Sequence, residues 1–316
     1  MMNESQLPTT LQEAIKFFAD DLFCVQFLAS QRWSDGKAIC PKCKESNNSF
    51  IESRKVWQCK TKGCRKQFSV KVGTVFEDSA IGLDKWLTAM WLIVNAKNGI
   101  SSYEIHRAIG ITQKSAWFVL HRIRLAMQNG SIEKLSGTVE ADETFVGGNA
   151  LNMHSGKRKE LKAKFGQKGH HTAVLGMVQR RGKVRAKVVK NIKGKTIIPI
   201  IRENVEEGSE FFTDGHNAYE LLASDYRHSA VNHSVEYVRE NVHTNSIENF
   251  WSLLKRTIKG TYVSVAPEHL QAYVEEQAFR YNEREGNDKD RFLGLIKSVS
   301  GKRLTHAQLI GYETWN

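Results

Sequence analysis

Two closely spaced cysteine pairs constrain the fold of this chain more than any other feature. Cys40 and Cys43 lie in CPKC, Cys59 and Cys64 lie in CKTKGC, and fifteen residues separate the pairs. Cysteine pairs at such spacings bind Zn²⁺ tetrahedrally through their thiolates. The neighbouring segments FIESRKVWQC and KQFSVKVG are rich in β-branched and aromatic residues, which favours two short hairpins. We therefore predict a structural zinc ribbon over residues 37–76.

Helical patterns flank this module on both sides. Apolar residues recur at three- and four-residue steps through residues 9–30, which predicts one amphipathic helix with Cys24 as a small buried residue. Residues 83–128 are also mainly helical. Within them, a tight turn at Gly110 precedes Thr112, a residue type that caps helices. Two helices joined by a short glycine-containing turn are typical of a helix-turn-helix motif.

A DNA-binding helix-turn-helix presents the N-terminal end of its second helix to base edges in the major groove. The residues at that end are Thr112, Gln113, Lys114 and Ser115. Helical hairpins are common, so the alternative is an ordinary connector between domains. The adjacent cysteine module and the basic composition favour DNA contact.

Near residue 137 the pattern changes to alternating strands and helices. The strand-like segments are TVEADETFV, HHTAVLGMVQR and KVRAKVVK, followed by the helical KTIIPIIRENV, the strand SEFFTD and the helical NAYELLAS. Two more amphipathic helices follow, TNSIENFWSLLKRTIKG and PEHLQAYVEEQAFRYNE. This order predicts a mixed sheet flanked by helices in an α+β multidomain protein. The lysine-rich segment after the first strand, NMHSGKRKELKAKFGQKGHH, is either a solvated loop or a segment that wraps phosphates.

Three carboxylates stand out in a chain of formal net charge +12. Asp142 and Asp214 lie at strand-like positions and Glu248 at a helix-like position, among small and apolar residues. A strongly basic chain is expected to bind a polyanion, while grouped carboxylates favour Mg²⁺ or Mn²⁺. Two such ions activate an attacking oxygen and stabilise a leaving oxygen in phosphoryl transfer. Together these features predict an enzyme that cuts or joins nucleic acid.

Other classes of protein fit the sequence poorly. It contains no apolar run of ~18 residues, so we expect no membrane span. Its first residues lack the pattern of a secretory signal, and we expect a cytoplasmic protein. No GxxxxGK[ST] motif is present, so ATP use is not indicated.

The succession of longer motifs resembles a known family. From about residue 20 to 295 the chain contains, in order, CPKC, FSVKVGTVFEDS, SAWFVLHRIRLAM, VEADETFVGG, FFTDGHNAY, HTNSIENFWSLLKRTIKGTY and EEQAFRYNER. This order resembles insertion-sequence transposases with an N-terminal zinc ribbon and a DDE catalytic domain. The nearest group is the XO-two-like transposases of the insertion sequence fifteen-ninety-five family. The resemblance implies a ribonuclease-H-like fold, two catalytic divalent metals, usually Mg²⁺, and in-line attack on phosphodiesters by water and then by a DNA 3′-hydroxyl.

The resemblance also implies roles for individual residues. Asp142, Asp214 and Glu248 correspond to the three catalytic metal ligands. Lys255, seven positions after Glu248, corresponds to a basic residue, and two helical turns place both on one face. Lys255 is then expected to hold a DNA phosphate. Glu140 is left open as a supporting ligand or a hydrogen-bonding neighbour.

Further alternatives surround two of these positions. In a strand, Glu140 and Asp142 face one side and Glu143 the other, and the resemblance favours Asp142. Asn245 and Asn249 lie close to Glu248 and are alternatives for the third catalytic role. Asn245 is also a candidate to orient Glu248 or touch DNA. His243 is a candidate contact to the scissile phosphate.

We expect five parts in the chain. They are an N-terminal helical segment (1–36), the zinc ribbon (37–76), the helix-turn-helix region (80–130), the catalytic domain (137–296) and a C-terminal tail (297–316). The predicted function is a transposase that binds double-stranded DNA, at the terminal inverted repeats of an element and at a target, as a dimer or larger assembly. The alternatives are a DNA-binding regulator with an inactive catalytic domain, and a nuclease that cuts without joining.

Overall fold

The computed structural model describes residues 7–128, 133–147, 155, 156, 159, 171–214, 217–231 and 242–312. The chain folds into two compact units. The first combines Met1–Asn129 with Glu283–Asn316, and the second is Gly130–Asn282. Among the helices in the described ranges, none is both long and apolar enough to cross a membrane.

The first unit begins with two helices where the sequence predicted one. α1 (Leu11–Phe17) is followed by α2 (Asp21–Arg32), and Asp20 is the residue that caps α2. The Asp20 side chain accepts a hydrogen bond from the Phe23 amide at 2.6 Å. The prediction of one helix over residues 9–30 is therefore wrong, because this local capping bond starts a new helix.

A small antiparallel sheet follows and carries the cysteine pairs. Its strands, in the order β1-β2-β3, are β1 (Asn48–Ile51), β2 (Val56–Cys59) and β3 (Gln67–Phe68). The ring of Trp57 on β2 packs against the rings of Phe50 and Phe68, with centroids 4.7 and 6.3 Å away. Aromatic packing therefore supports a sheet that is too short to be stable by itself.

Three longer helices complete the N-terminal part of this unit. They are α3 (Leu83–Asn95), α4 (Ser102–Ile109) and α5 (Gln113–Met127). Between α4 and α5, Gly110 adopts a left-handed conformation (φ 64°), which favours glycine and ends α4 sharply. The Thr112 side chain then caps α5. The predicted pair of helices with its glycine turn is present.

The second unit is built on a five-stranded mixed sheet in the spatial order β6-β5-β4-β7-β8. The strands are β4 (Thr138–Val146), β5 (Thr172–Gln179), β6 (Val184–Val189), β7 (Glu210–Asp214) and β8 (Arg227–Val231). β4, β5 and β6 pair antiparallel, whereas β7 is parallel to both β4 and β8. The sequence predicted every strand except β8, whose segment RHSAV is short and mostly polar.

Helices cover both faces of this sheet. α6 (Gly194–Asn204) packs one face through buried isoleucines such as Ile197. α7 (Asn245–Thr257) and α8 (Leu270–Asn282) share a second apolar cluster with Val174 of β5 on the other face. The sheet is therefore a buried central layer, which explains why β5 reads as an almost continuous apolar run.

One further predicted segment has a different secondary structure, and another lies mainly outside the described residues. The predicted helix NAYELLAS forms a 3₁₀ turn, Asn217–Leu222, between β7 and β8. The lysine-rich segment that follows β4 lies almost entirely outside the described residues.

The chain returns to the first unit after residue 282. α9 (Asp288–Lys297) places Phe292 against the rings of Phe27 and Trp91, with centroids 6.3 and 5.4 Å away, and the short α10 (His306–Leu309) follows. The second unit ends at Asn282, and buried residues of α9 such as Phe292 and Leu295 belong to the first unit.

Candidate active site

Three carboxylates converge where two parallel strands separate. The pairing of β4 with β7 ends at Glu140 opposite Phe212. Asp142 and Glu143 on β4 and Asp214 on β7 lie just beyond that last pair. One carboxylate oxygen from each of these three residues lies within 4.8 Å of the other two.

Asp142 and Glu143 are held from opposite faces of the sheet. The indole Nε1 of Trp251 on α7 donates to Asp142 Oδ2 at 3.0 Å, and the Tyr219 hydroxyl donates to Glu143 Oε1 at 2.5 Å. Trp251 belongs to the apolar cluster of the α7 face, and Tyr219 to that of the α6 face. Strand alternation therefore holds for the two neighbours, yet their acid groups meet at the opening between the strands.

The close approach of these acids is unfavourable in the absence of a cation. Burial, and then the charge of Asp214, raises the pKa of Asp142 to about 6. Burial also raises the pKa of Glu143 to about 7, although the hydrogen bond from Tyr219 acts in the opposite direction. Burial and like charge both penalise the ionised forms, and a bound cation reverses that penalty. The hard oxygen donors suit Mg²⁺ or Mn²⁺.

Glu140, at the base of the site, bonds the start of α7 and Arg180. It is fully buried and accepts hydrogen bonds from the amides of Ser246 and Ile247 at the start of α7, at 2.7 and 3.2 Å. Arg180 Nε donates to the same carboxylate at 2.7 Å. A carboxylate at a helix N-terminus satisfies unpaired amides and faces the positive end of the helix dipole. Of the two roles left open for Glu140, the structure shows the hydrogen-bonding neighbour.

Glu248 lies exposed in the first turn of α7, and its Oε1 accepts a hydrogen bond from the Thr244 hydroxyl at 3.0 Å. The three acids whose oxygens lie within 4.8 Å of one another are Asp142, Glu143 and Asp214. The third member of this group is therefore Glu143, where the sequence predicted Glu248. The charge of Glu248 nevertheless adds to the effects of burial and of Asp214 in raising the pKa of Asp142. Its assignment as a catalytic ligand stays a prediction.

The remaining residues predicted around Glu248 lie on or before the same helix. Asn245, Asn249 and Lys255 are exposed on α7, and His243 is half-buried just before it. The Asn245 amide donates to His243 Nδ1 at 3.4 Å, and the same nitrogen lies 3.4 Å from Glu140 Oε1. His243 therefore lies beside the Glu140 carboxylate that bonds the start of α7.

The four predicted zinc ligands come together in the first unit. The Sγ atoms of Cys40 and Cys64 lie 3.7 Å apart, and those of Cys43 and Cys59 lie 3.6 Å apart. Sulfurs bound tetrahedrally at ~2.3 Å from Zn²⁺ lie about 3.8 Å apart, so the group fits this ion. Burial opposes ionisation of the Cys40 thiol, but the amides of Cys43 and Lys42 lower its pKa to about 7, which favours the thiolate.

The four predicted DNA contacts lie in the cap and first turn of α5. Thr112 and Lys114 are exposed, whereas Gln113 and Ser115 are half-buried. Thr112 Oγ1 accepts the Ser115 amide at 3.1 Å, and Gln113 Nε2 donates to Ser102 Oγ at 2.8 Å. Gln113 therefore also links α5 to α4, and Thr112 also caps α5.

Comparison with known proteins identifies the family. Residues 134–282 match the ISXO2-like transposase domain, and residues 19–67 match the transposase zinc-ribbon domain. An "uncharacterized transposase-like protein" of Haemophilus influenzae is 35% identical over 104 residues, which cover 33% of this chain and 84% of that protein. The chain belongs to the ISXO2-like transposase family. The resemblance found in the sequence is thereby confirmed.

A second relative extends over most of this ISXO2-like chain. It is the "uncharacterized protein in transposable element ISH50" of Halobacterium salinarum, 27% identical over 272 residues, or 82% of this chain and 90% of that protein. The ISXO2-like domain ends at residue 282, where the second structural unit also ends. The family match and the chain's own packing therefore agree on this boundary.

Proposed function

We propose that this protein is a transposase that binds the ends of a DNA insertion element and catalyses metal-dependent strand cleavage and strand transfer. The observation that carries the proposal is the convergence of Asp142, Glu143 and Asp214 at the opening between β4 and β7. These acids are partly buried and repel one another in a protein of net charge +12. Such a group is typical of a cation site.

We infer that the second unit is a ribonuclease-H-like DDE domain. Its mixed sheet supports this, since the two aspartates lie on the neighbouring strands β4 and β7. The helix that carries Glu248 packs on the face from which Trp251 reaches Asp142. In this proposal Asp142, Asp214 and Glu248 are the catalytic triad, and Glu143 is a competitor for the third role.

Asp142 and Asp214 are the proposed holders of Mg²⁺ or Mn²⁺, with Glu248 or Glu143 completing the set. Bound divalent ions supply activation of the attacking oxygen and neutralisation of charge on the scissile phosphate. The protein itself positions the acids before DNA arrives, through the hydrogen bonds of Trp251 and Tyr219. We propose no covalent enzyme intermediate.

We propose that the first unit recognises the element ends. α4 and α5 would act as a helix-turn-helix, with Thr112, Gln113, Lys114 and Ser115 at the major groove. The fit of the four cysteines to Zn²⁺ supports a structural zinc ribbon beside it. In the second unit, the exposed Lys255 would hold a phosphate on the same helix face as Glu248. Joining an element end to a target requires several DNA segments at once, so we propose a dimer or larger assembly on DNA.

The competing functions make different demands on the acid group. A DNA-binding regulator with an inactive domain has no use for buried acids whose pKa values are raised by mutual repulsion and burial. A nuclease would use the same acids but would cut without joining. The acid group therefore favours an enzyme, and the joining step separates transposase from nuclease.

The test is cleavage and joining of a labelled duplex that carries the element's terminal inverted repeat, with Mg²⁺ or Mn²⁺. Wild-type protein should cut and join, whereas Asp142→Asn and Asp214→Asn should bind the duplex with unchanged affinity and leave it intact. Loss of binding in both variants would count against the metal-site assignment. Tight binding by wild type without cleavage, even with paired ends, would favour the regulator.

The same assay assigns the third acid. If Glu248 is the ligand, Glu248→Gln abolishes cleavage and Glu143→Gln only weakens it. The reverse result would move the role to Glu143. Cleavage that survives both substitutions would direct attention to Asn245 and Asn249.

A further inference from the structure

Trp251 is the residue that connects α7 directly to the acid group. Its side chain is 4% exposed, and its Nε1 donates to Asp142 Oδ2 at 3.0 Å. It lies three residues after Glu248, so the two side chains are neighbours on one face of the helix. An indole has one donor and no acceptor, so it engages a single oxygen of the Asp142 carboxylate.

The sheet is shaped to receive this indole. Gly176 on β5 is the direct cross-strand partner of Asp142, so a side chain there would share the face on which Asp142 lies. A Cβ atom at Gly176 would lie 2.6 Å from the Cη2 and Cζ2 atoms of Trp251 and 2.7 Å from Ile247 Cδ1. Both neighbours are buried in the same apolar cluster, so a side chain at residue 176 would have to displace them. The missing side chain at residue 176 is therefore the space that the indole fills.

We propose that Trp251, seated on Gly176, is a positioning residue that fixes the Asp142 carboxylate for metal binding and sets the distance between Asp142 and Glu248. The proposal rests on the proposed function, because it concerns the metal ligands of that site. Partners that orient metal ligands typically change metal affinity or activity about 10- to 100-fold when removed. The same indole also fills the apolar cluster, so the test must separate its donor from its volume.

Two substitutions at residue 251 make this separation in the full-length protein. Trp251→Phe removes the N–H and part of the volume. Replacing Trp251 with 3-benzothienylalanine exchanges the N–H for sulfur and keeps the bicyclic shape, so it serves if the Phe variant fails to fold. Val274→Ala is the matched control, because Val274 on α8 is fully buried in the same apolar cluster. Gly176→Ala displaces the indole without changing it.

The readouts are Mn²⁺ binding by calorimetry without DNA, the melting temperature without metal, and kcat and KM for an element-end duplex. We expect both changes at residue 251, and Gly176→Ala, to raise the Mn²⁺ dissociation constant about 10- to 100-fold. They should lower kcat at fixed metal and leave KM for DNA unchanged. Val274→Ala should lower the melting temperature alone.

Two results overturn the positioning role. One is unchanged Mn²⁺ affinity and kcat in a folded protein that carries benzothienylalanine at residue 251. The other is an equal loss of Mn²⁺ affinity in Val274→Ala, which would mean that Trp251 contributes only packing. In either case wild-type cleavage still stands and the proposed function survives. If wild type neither binds Mn²⁺ nor cleaves, the proposed function fails first and the positioning role fails with it.

Discussion

At the scale of single residues, the folded protein disfavours ionisation of Asp142 and Glu143. Asp142 and Glu143 hold protons more tightly in the folded protein than in the unfolded chain, where carboxyl pKa values are about 4. Between about pH 4 and 7 the folded state therefore binds more protons than the unfolded state, and the free energy of unfolding contributed by these groups falls as pH rises. Without metal, ionisation of these acids therefore lowers the free energy of unfolding at neutral pH.

This gives a prediction for Glu143→Gln. The variant should melt at a higher temperature than wild type at pH 8 without metal, because a buried charge near Asp142 and Asp214 is removed. At pH 4, where the wild-type group is protonated, the difference should disappear. Glu206→Gln, an exposed acid of the same unit, is the control and should change neither value. A Glu143→Gln variant less stable than wild type at pH 8 would contradict the repulsion.

Metal binding should follow the same pKa values with the opposite dependence on pH. Protons compete with the cation for Asp142 and Glu143, so the Mg²⁺ concentration needed for cleavage should rise as pH falls from about 7 to 6. Initial cleavage rates over a grid of pH and Mg²⁺ concentration measure this. A Mg²⁺ requirement that is constant over this range would mean that neither acid binds the metal.

At the scale of elements, α7 is fastened to the sheet at two points, by Glu140 at its N-terminus and by Trp251 in its second turn. The Glu140 side chain is fully buried and that of its partner Arg180 is 17% exposed. Removing one member of a buried pair leaves the other uncompensated, which typically costs about 3–5 kcal/mol.

Glu140→Ala should therefore lower the free energy of unfolding of the second unit by about 3–5 kcal/mol, measured by denaturant unfolding. Asp225→Ala is the matched control. It breaks the pair with Arg202, whose side chain is 53% exposed, and should cost much less than Glu140→Ala, because solvent screens an exposed pair. Equal costs for the two substitutions would mean that Glu140 does not anchor α7.

The ribbon gives a second prediction at this scale. Cys43→Ser should release zinc and weaken binding to element ends, because the short sheet has few apolar contacts of its own. Metal content after gel filtration and the dissociation constant for the duplex measure this. Cys24→Ala, at a buried cysteine of α2 outside the group of four, should leave the zinc content unchanged. An unchanged zinc content in Cys43→Ser would contradict the four-sulfur site.

Local patterns were sufficient to predict the cysteine group, both helices around Gly110, and strands β4 to β7. They failed where a tertiary contact decides the outcome. Alternation along β4 correctly places Asp142 and Glu143 on opposite faces, but it does not reveal that both acids approach Asp214 where the pairing of β4 with β7 ends. An indole in an apolar run, such as that of Trp251, gives no signal in the sequence of a carboxylate partner. Nor did the polar segment of β8 indicate that it would pair with β7.

At the scale of the whole molecule, the net positive charge should determine how DNA binding depends on salt. DNA binding by a chain of net charge +12 should weaken steeply with salt, because lysines and arginines release counterions from phosphates. Lys255→Ala should reduce the slope of log K against log salt by about one, because Lys255 is the proposed phosphate contact. Duplex binding measured from 50 to 200 mM salt tests this, and a flat response would rule out an interface dominated by phosphates.

The first unit is assembled from two separated stretches of chain, and Phe292, Val299 and Leu304 of the later stretch are buried in it. A ribosome therefore synthesises the entire second unit before the last core residues of the first unit emerge. The half proposed to recognise DNA is the half that finishes folding last. A product truncated near residue 282 would carry the acids but not a completed DNA-binding unit. Recognition of element ends is therefore expected to require residues that follow the acid-bearing unit in the chain.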